Sequence, residues 1–232
     1  MYQLFNDDCM NILSQLEDKS IDLVIIDPPY SIATGGSGGS FGTEKRSYHK
    51  SIQELSYGIK NCVLEELCRV MKKINIYIWC NKEQLKQYMD FFIEKGCKAE
   101  LLTWHKTNPV PTCNNKYLSD TEYLLFFREK GVKLFGSYAT KKKYYISPTN
   151  KKDKDKYGHP TIKPVSILKN LVLNSSNEGD IVLDCFMGSG STGVACLETN
   201  RRFIGVEIEK EYFSVANERI NETLYQGDKK WV

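Results

Sequence analysis

Ile181-Val182-Leu183-Asp184-Cys185-Phe186-Met187-Gly188-Ser189-Gly190-Ser191-Thr192-Gly193 reads as an apolar strand that ends on an acid and turns through closely spaced glycines. Val194-Ala195-Cys196-Leu197 continues as a helix, and Phe203-Ile204-Gly205-Val206 is a second apolar run that ends on Glu207. Strand, tight turn, helix, strand is the repeating unit of a parallel sheet covered by helices. Glycines let the turn pass close to a ligand with no side chain between them. An acid at the end of the following strand is placed to accept hydrogen bonds from a ribose diol.

Gly188-x-Gly190-x-x-Gly193, with an acid about 20 residues further on, also satisfies the dinucleotide pattern. On the glycines alone an NAD enzyme stays open. Asp184 tilts the choice, because an acid ahead of the glycines would repel a pyrophosphate. It suits a ligand that carries an ammonium group and no phosphate, which describes S-adenosylmethionine.

Outward from this unit, short apolar runs alternate with segments of helical period. Strands are expected near residues 2–5, 22–26, 74–79, 100–104, 122–127, 181–183 and 203–206. One helix should present Ile52, Leu55, Ile59, Val63, Leu67 and Val70 on a single face. Another should begin at Pro164 and present Ile167, Leu168, Leu171 and Val172. The alternation predicts an α/β fold with a mostly parallel sheet and helices on both faces. Ligands then bind beyond the carboxyl ends of the strands. Two stretches break the rhythm and read as loops: 31–50, with Gly35, Gly36, Gly38, Gly39 and Gly42, and 106–115, with Pro109 and Pro111.

A second motif follows the strand at 22–26. Asp27-Pro28-Pro29-Tyr30 sits where a ligand should bind. Two prolines hold the turn rigid and restrict the residue before each. Asp27 and the Pro28 carbonyl become two fixed acceptors, with Tyr30 as an aromatic wall. That suits an amino group on an aromatic ring, whose lone pair is delocalised and poorly nucleophilic. One acceptor for each N–H favours a pyramidal nitrogen whose lone pair faces a methyl donor. Tyr30 would stack on the ring, at roughly 1–3 kcal/mol per base. A base in a duplex would have to flip out to reach it.

The chain has 232 residues, 41% of them hydrophobic and 26% charged, which fits one soluble domain with a substantial core. No apolar run could span a membrane, and the acidic start Asn6-Asp7-Asp8 is unlike a signal peptide, so a cytoplasmic protein is expected. None of the eight cysteines forms a Cys-x-x-Cys pair, so neither a metal site nor a disulfide framework is expected. Of the net +3 charge, the region 138–157 contributes more than its share, with seven lysines and two acids. Tyr138, Tyr144, Tyr145 and Tyr157 lie among these lysines. Taken alone, the region reads as a solvated loop; lysines beside aromatics could also meet nucleic acid, with Lys141, Lys142, Lys143 and Tyr144 as the DNA-binding candidates. Of three histidines, His49, His105 and His159, only the last lies in a motif.

Together the motifs resemble the beta class of DNA amino-methyltransferases, in which the catalytic motif precedes the glycine turn; the likeness covers most of the chain. Phe5-Asn6-Asp7-Asp8-Cys9 is similar to the family's early cofactor motif, with Asp7 where glycine is usual. His159-Pro160-Thr161-Ile162-Lys163-Pro164 is similar to the motif that encloses the methionine part of the cofactor. Trp104–Pro109 is similar to the segment flanking the target base. The resemblance implies a Rossmann-like sheet of seven strands with one reversed. It implies S-adenosylmethionine as cofactor, held by Asp8, Cys9, His159, Thr161, Lys163, Asp184, Phe186, Gly188, Gly190, Thr192 and Glu207. The catalytic residues would be Asp27, Pro28, Pro29 and Tyr30. A single domain is implied, with target recognition carried within 106–157. The expected substrate is adenine N6 in double-stranded DNA, with a homodimer and a cognate restriction endonuclease as further expected partners.

Rival activities leave marks of their own. Cytosine C5 methylation needs a thiolate nucleophile, and its Pro-Cys dipeptide is absent. Cytosine N4 methylation poses the same amino-group problem, more often with Ser-Pro-Pro-Tyr. RNA or protein-glutamine methylation favours Asn-Pro-Pro-Tyr. A non-catalytic DNA-binding subunit would not need an intact Asp27, Tyr30 and glycine turn.

Overall fold

In the computed structural model, residues 1–30, 58–111, 115, 117–158 and 162–228 are described. The chain begins with β1 (Tyr2–Phe5), α1 (Cys9–Leu13) and β2 (Leu23–Ile26), and resumes with α2 (Asn61–Val70), β3 (Asn75–Cys80) and α3 (Leu85–Glu94). Then follow β4 (Lys98–Lys106), β5 (Thr121–Arg128), β6 (Tyr144–Ser147), α4 (Lys151–Tyr157) and α5 (Val165–Ser175). The last elements are β7 (Ile181–Asp184), α6 (Ser191–Leu197), β8 (Arg202–Val206) and α7 (Lys210–Asp228).

The strands form one sheet in the order β1-β8-β7-β2-β3-β5-β4-β6. Every pairing is parallel except those of β5 with β3 and β4, so β5 alone is reversed. All four residues of β2 are buried, as expected of a strand covered on both faces. Alternate side chains feed two cores. Val24, Ile26, Ile76 and Ile78 pack with Leu13, Leu64, Leu67 and Phe92 from α1, α2 and α3. Leu23, Ile25, Tyr77 and Trp79 pack with Leu168, Leu171, Ala195 and Ile220 from α5, α6 and α7. Each helix buries one apolar stripe against the sheet, and this burial rather than helix propensity holds the layers together.

Adjacency of β2 and β7 positions the site. They pair in parallel, Leu23 with Val182 and Val24 with Leu183, so the Asp27 loop and the Asp184 turn leave the same edge side by side. Because β4 and β6 run with them, the chain leaves the ends of those strands, at Lys106 and Ser147, on that edge too.

Three features differ from the sequence reading. Among the described residues the sheet has eight strands rather than seven. The extra one, β6, hides in a lysine-rich stretch where Tyr144-Tyr145-Ile146 is the only β-forming run. The region 138–157 is therefore not one loop: α4 follows β6, with Asn150 capping its start and Gly158 closing it in the left-handed conformation. The helix expected from Ile52 starts at Asn61 within the described residues, and Ile59 is buried just ahead of it. Residues 31–57 lie outside the described residues, including the glycine stretch, His49, Ile52 and Leu55. Within 106–157, β5 belongs to the central sheet, with Leu124, Leu125, Phe126 and Phe127 buried.

Candidate active site

A cavity of about 830 Å³ opens at the carboxyl edge of β2 and β7, within the usual range for ligand sites. One end is lined by Asp8, Cys9, Asp184, Phe186, Gly188, Thr192 and Glu207. The other is lined by Asp27, Pro28, Pro29, Tyr30, Glu122 and Lys163.

At the first end, Asp184 is only 3% exposed. Its Oδ1 accepts the Phe186 N–H at 3.1 Å. Burial pushes its carboxyl up to about 7, against the hydrogen bonds from Thr192 and the Phe186 backbone. The Glu207 carboxylate closes the glycine turn: Oε2 accepts the Gly188 N–H at 2.9 Å and Oε1 the Glu209 N–H at 2.9 Å. Burial also raises Glu207, and these backbone hydrogen bonds oppose the rise. Each oxygen keeps a second lone pair for a ligand. Asn6 donates to the carbonyls of Glu207 and Ile208, which joins the end of β1 to the end of β8. Asp8 caps α1 by accepting the Met10 N–H at 2.8 Å. Asp7 stands at the family's glycine position without strain: among the described residues only Lys19 and Asn200 are non-glycines at positive φ. Its Oδ1 accepts from Asp8 N and Asn11 Nδ2 instead.

At the second end, four charged side chains form a row. Lys163, 5% exposed, places Nζ 2.5 Å from Asp27 Oδ2 and 3.3 Å from Glu122 Oε2. Lys106 Nζ lies 2.6 Å from Glu122 Oε1. Burial opposes the charge of Lys163, but Asp27 and Glu122 outweigh it and hold the ammonium above the ordinary lysine value. Burial would raise Glu122, but Lys163 and Lys106 hold it below the usual carboxylate range. At Asp27 burial dominates and pushes the carboxyl up, with Lys163 pulling it back and Glu122 adding to the rise. The Tyr30 hydroxyl donates to Glu122 Oε2 at 3.4 Å. Lys163 Nζ lies 5.6 Å from the Tyr30 ring centre and 5.1 Å from that of Trp79. Buried Gln84 clamps the proline loop by donating to the Pro29 carbonyl at 3.1 Å.

The structure thus brings Asp27, Pro28, Pro29, Tyr30, Asp8, Cys9, Lys163, Asp184, Phe186, Gly188, Thr192 and Glu207 around one cavity. Lys163 was expected at the cofactor, yet its ammonium sits on Asp27. Gly190 was expected to line the site and instead faces α7. A Cβ there would lie 3.1 Å from Ala216 Cβ and 3.2 Å from Ile220 Cδ1, and its φ is +78°. Its absent side chain permits the turn and the close helix. His159 and Thr161 lie outside the described residues. Lys141, Lys142, Lys143 and Tyr144 are on or beside the outer strand β6, away from the cavity lining: Lys143 pairs with Glu100, and Lys142 lies over the Tyr144 ring at 5.8 Å.

Sequence reasoning missed Glu122, Gln84 and Arg219. Arg219 is buried in α7, donates to Ser191 Oγ at 2.8 Å and pairs with Asp153 of α4 at 3.0 Å. Only Glu122 left a trace, as an acid at the head of the apolar run Tyr123–Phe127.

The family model described as DNA methylase matches residues 21–218. Type II methyltransferase M2.LlaDCHI of Lactococcus lactis subsp. cremoris is 32% identical over 246 residues, covering 97% of this chain and 91% of its own. Type II methyltransferase M2.DpnII of Streptococcus pneumoniae is 32% identical, covering 95% and 91%. The crystal structure of the M1.HpyAVI–SAM complex superposes with a TM-score of 0.72 at 27% identity, covering 95% of this chain and 100% of that one. Since the matched region runs from the head of β2 into α7 and takes in both the Asp27 loop and the glycine turn, the chain belongs to the DNA methylase family whose members act on N6 or N4 amino groups.

Proposed function

We propose that this protein methylates the exocyclic N6 of adenine in double-stranded DNA, using S-adenosylmethionine and a flipped-out base. One observation carries the reading: parallel pairing of β2 with β7 sets the acceptor motif and the acid-and-glycine turn around a single cavity. The donor set fits the cofactor. Asp184 suits the ammonium, Glu207 the ribose diol and Asp8 the adenine amino group, with Phe186 as an apolar wall. When bound, the cofactor supplies an electrophilic methyl group.

Asp27 and the Pro28 carbonyl accept the two N–H groups of the target, and Tyr30 stacks on its ring. Held by these two acceptors, the amino nitrogen would keep its lone pair turned towards the methyl group that the cofactor would supply, and Asp27 would be placed to receive the proton the nitrogen gives up. No covalent enzyme intermediate is involved. Positioning and preorganised acceptors supply the acceleration.

Incubating the protein with DNA and S-adenosylmethionine, then identifying the methylated nucleosides by mass spectrometry, tests the reading. N6-methyladenine is the expected product, and N4-methylcytosine would replace the adenine reading with the second one the fold allows. Target recognition is assigned to the parts of 106–157 outside β5, within a single methyltransferase domain. The relatives are named Type II methyltransferases, which supports a cytoplasmic restriction–modification role beside a cognate endonuclease. A homodimer is the expected assembly, to be measured by light scattering. Among the described residues no helix is long and apolar enough to cross a membrane.

A further inference from the structure

The row Lys106–Glu122–Lys163–Asp27 draws on four separate parts of the chain: the end of β4, the head of β5, the approach to α5 and the loop after β2. Two ammonium groups alternate with two carboxylates, so the row is neutral overall. Buried ions are costly unless paired, and a row of this kind gives weak support for stability alone. Its arrangement has a chemical consequence. The Lys163 ammonium is shared between two carboxylates, at 2.5 Å and 3.3 Å. On the Asp27 side it meets Oδ2, which leaves Oδ1 for an incoming N–H. The same Glu122 oxygen that faces Lys163 also receives the Tyr30 hydroxyl. One oxygen therefore sets both the partner of the acceptor and the ring that would stack on the base.

We infer that Glu122, braced by Lys106, is a positioning residue for methyl transfer: it draws Lys163 away from full engagement of Asp27 and fixes Tyr30. The inference rests on Asp27 being the amino-group acceptor. Without the Glu122 charge, Lys163 can turn wholly onto Asp27 and cover the oxygen that the substrate needs. Without Lys163, Asp27 is left as a buried acid facing Glu122, Asp184 of β7, Cys80 of β3, Tyr30 and Tyr88 of α3. Burial disfavours its charge and Glu122 and Asp184 add to this, so the Tyr30 hydroxyl hydrogen bond is left as its opposing partner.

The test compares wild type, Glu122→Gln and Lys163→Met by single-turnover transfer across a pH series, with cofactor affinity measured separately. Glu122→Gln keeps size and removes charge. It should slow transfer at saturating DNA and cofactor by at least about tenfold, in line with the cost of small misplacements at a reacting centre. Its cofactor affinity should stay within about threefold of wild type. The acidic limb of its rate profile should move to lower pH, because a negative neighbour of Asp27 is gone. In Lys163→Met the limb should move to higher pH, with part of the lost rate recovered in alkali. Opposite displacements are the signature, since a purely structural role would move neither limb. Normal transfer in Glu122→Gln, unmoved limbs, or an equal loss of cofactor affinity and rate would overturn the inference. Absence of methyl transfer in wild type would instead defeat the functional reading on which it rests.

Discussion

Asp184 combines two opposing demands at one residue. Burial pushes its carboxyl up to about 7, so the folded chain holds this proton more tightly than the unfolded chain does. The stability cost is absent below the ordinary carboxylate value of about 3.9, builds as pH rises from there to about 7, and is complete above that. A bound ammonium would offset the cost. Asp184→Asn should therefore raise the Tm of the cofactor-free protein, more at about pH 8 than at about pH 5, while weakening S-adenosylmethionine binding. Thermal melts at both pH values with parallel calorimetry check this, and equal melting shifts at the two would refute it. Asp27 behaves differently, because its partner is Lys163 of the charged row and, in the proposed mechanism, the target amino group rather than the cofactor. Asp27→Ala should abolish transfer and leave cofactor affinity within about threefold. Near-normal turnover would sink the acceptor mechanism. At this scale, the motif residues were readable because their neighbours in sequence are also their neighbours in the site. The role of Glu122 was not, because it comes from pairing with Lys106, Lys163 and Tyr30, and Tyr30 lies 92 positions away in sequence.

Among the elements, apolar runs announced β1–β5, β7 and β8, most plainly β2 and β3, which are buried on both faces and have little choice of composition. β6 escaped notice because four residues flanked by lysines carry too little apolar signal and take their stability from pairing with β4. The start of α2 was misjudged because Ile59 shares its spacing but packs into the core from outside the helix. The glycine turn shows a similar ambiguity. Gly188 and Gly190 read alike in sequence, but only Gly188 lines the cavity, and Gly190 is pressed against α7. Gly190→Ala has to place a Cβ 3.2 Å from the Ala216 backbone at φ +78°. The strain should cost about 1–3 kcal/mol, lowering Tm by roughly 2–4 °C per kcal/mol in a chain of this size. Cofactor affinity at low temperature should change far less than for Glu207→Ala, which removes a lining acceptor and the clasp on Gly188 together. Melting curves and cofactor titrations on both variants decide it, and a large affinity loss without a melting shift in Gly190→Ala would return that glycine to the binding surface.

At the scale of the molecule, the sheet sends the ends of β2, β4, β6 and β7 to one edge, and DNA should meet the protein there. This sorts the basic residues in a way the sequence could not. Lys141, Lys142 and Lys143 precede β6; Lys143 is paired with Glu100 and Lys142 lies over Tyr144. α4 follows the end of β6, on the catalytic side, and carries Lys151, Lys152 and Lys154. Burial lowers the pKa of Lys154, and Lys106 of the charged row adds to the effect, which puts this lysine near that row. Asp153 of the same helix is tied through Arg219 to Ser191, beside the glycine turn, which links α4 to that end of the cavity. Each lysine that meets a phosphate contributes roughly 0.9 units to the slope of log affinity against log salt. Replacing Lys151, Lys152 and Lys154 by alanine should therefore flatten that slope by about two to three units. Replacing Lys141, Lys142 and Lys143 should flatten it less, because one of the three charges is already neutralised and another is engaged with an aromatic ring. Transfer at saturating DNA should survive the second set better than the first. A salt titration of DNA affinity for wild type and both triple variants measures this directly. A greater flattening by the set before β6 would place the DNA along the outer sheet edge instead. Three parallel lines would shift phosphate contact onto 107–120 and the segments outside the described residues.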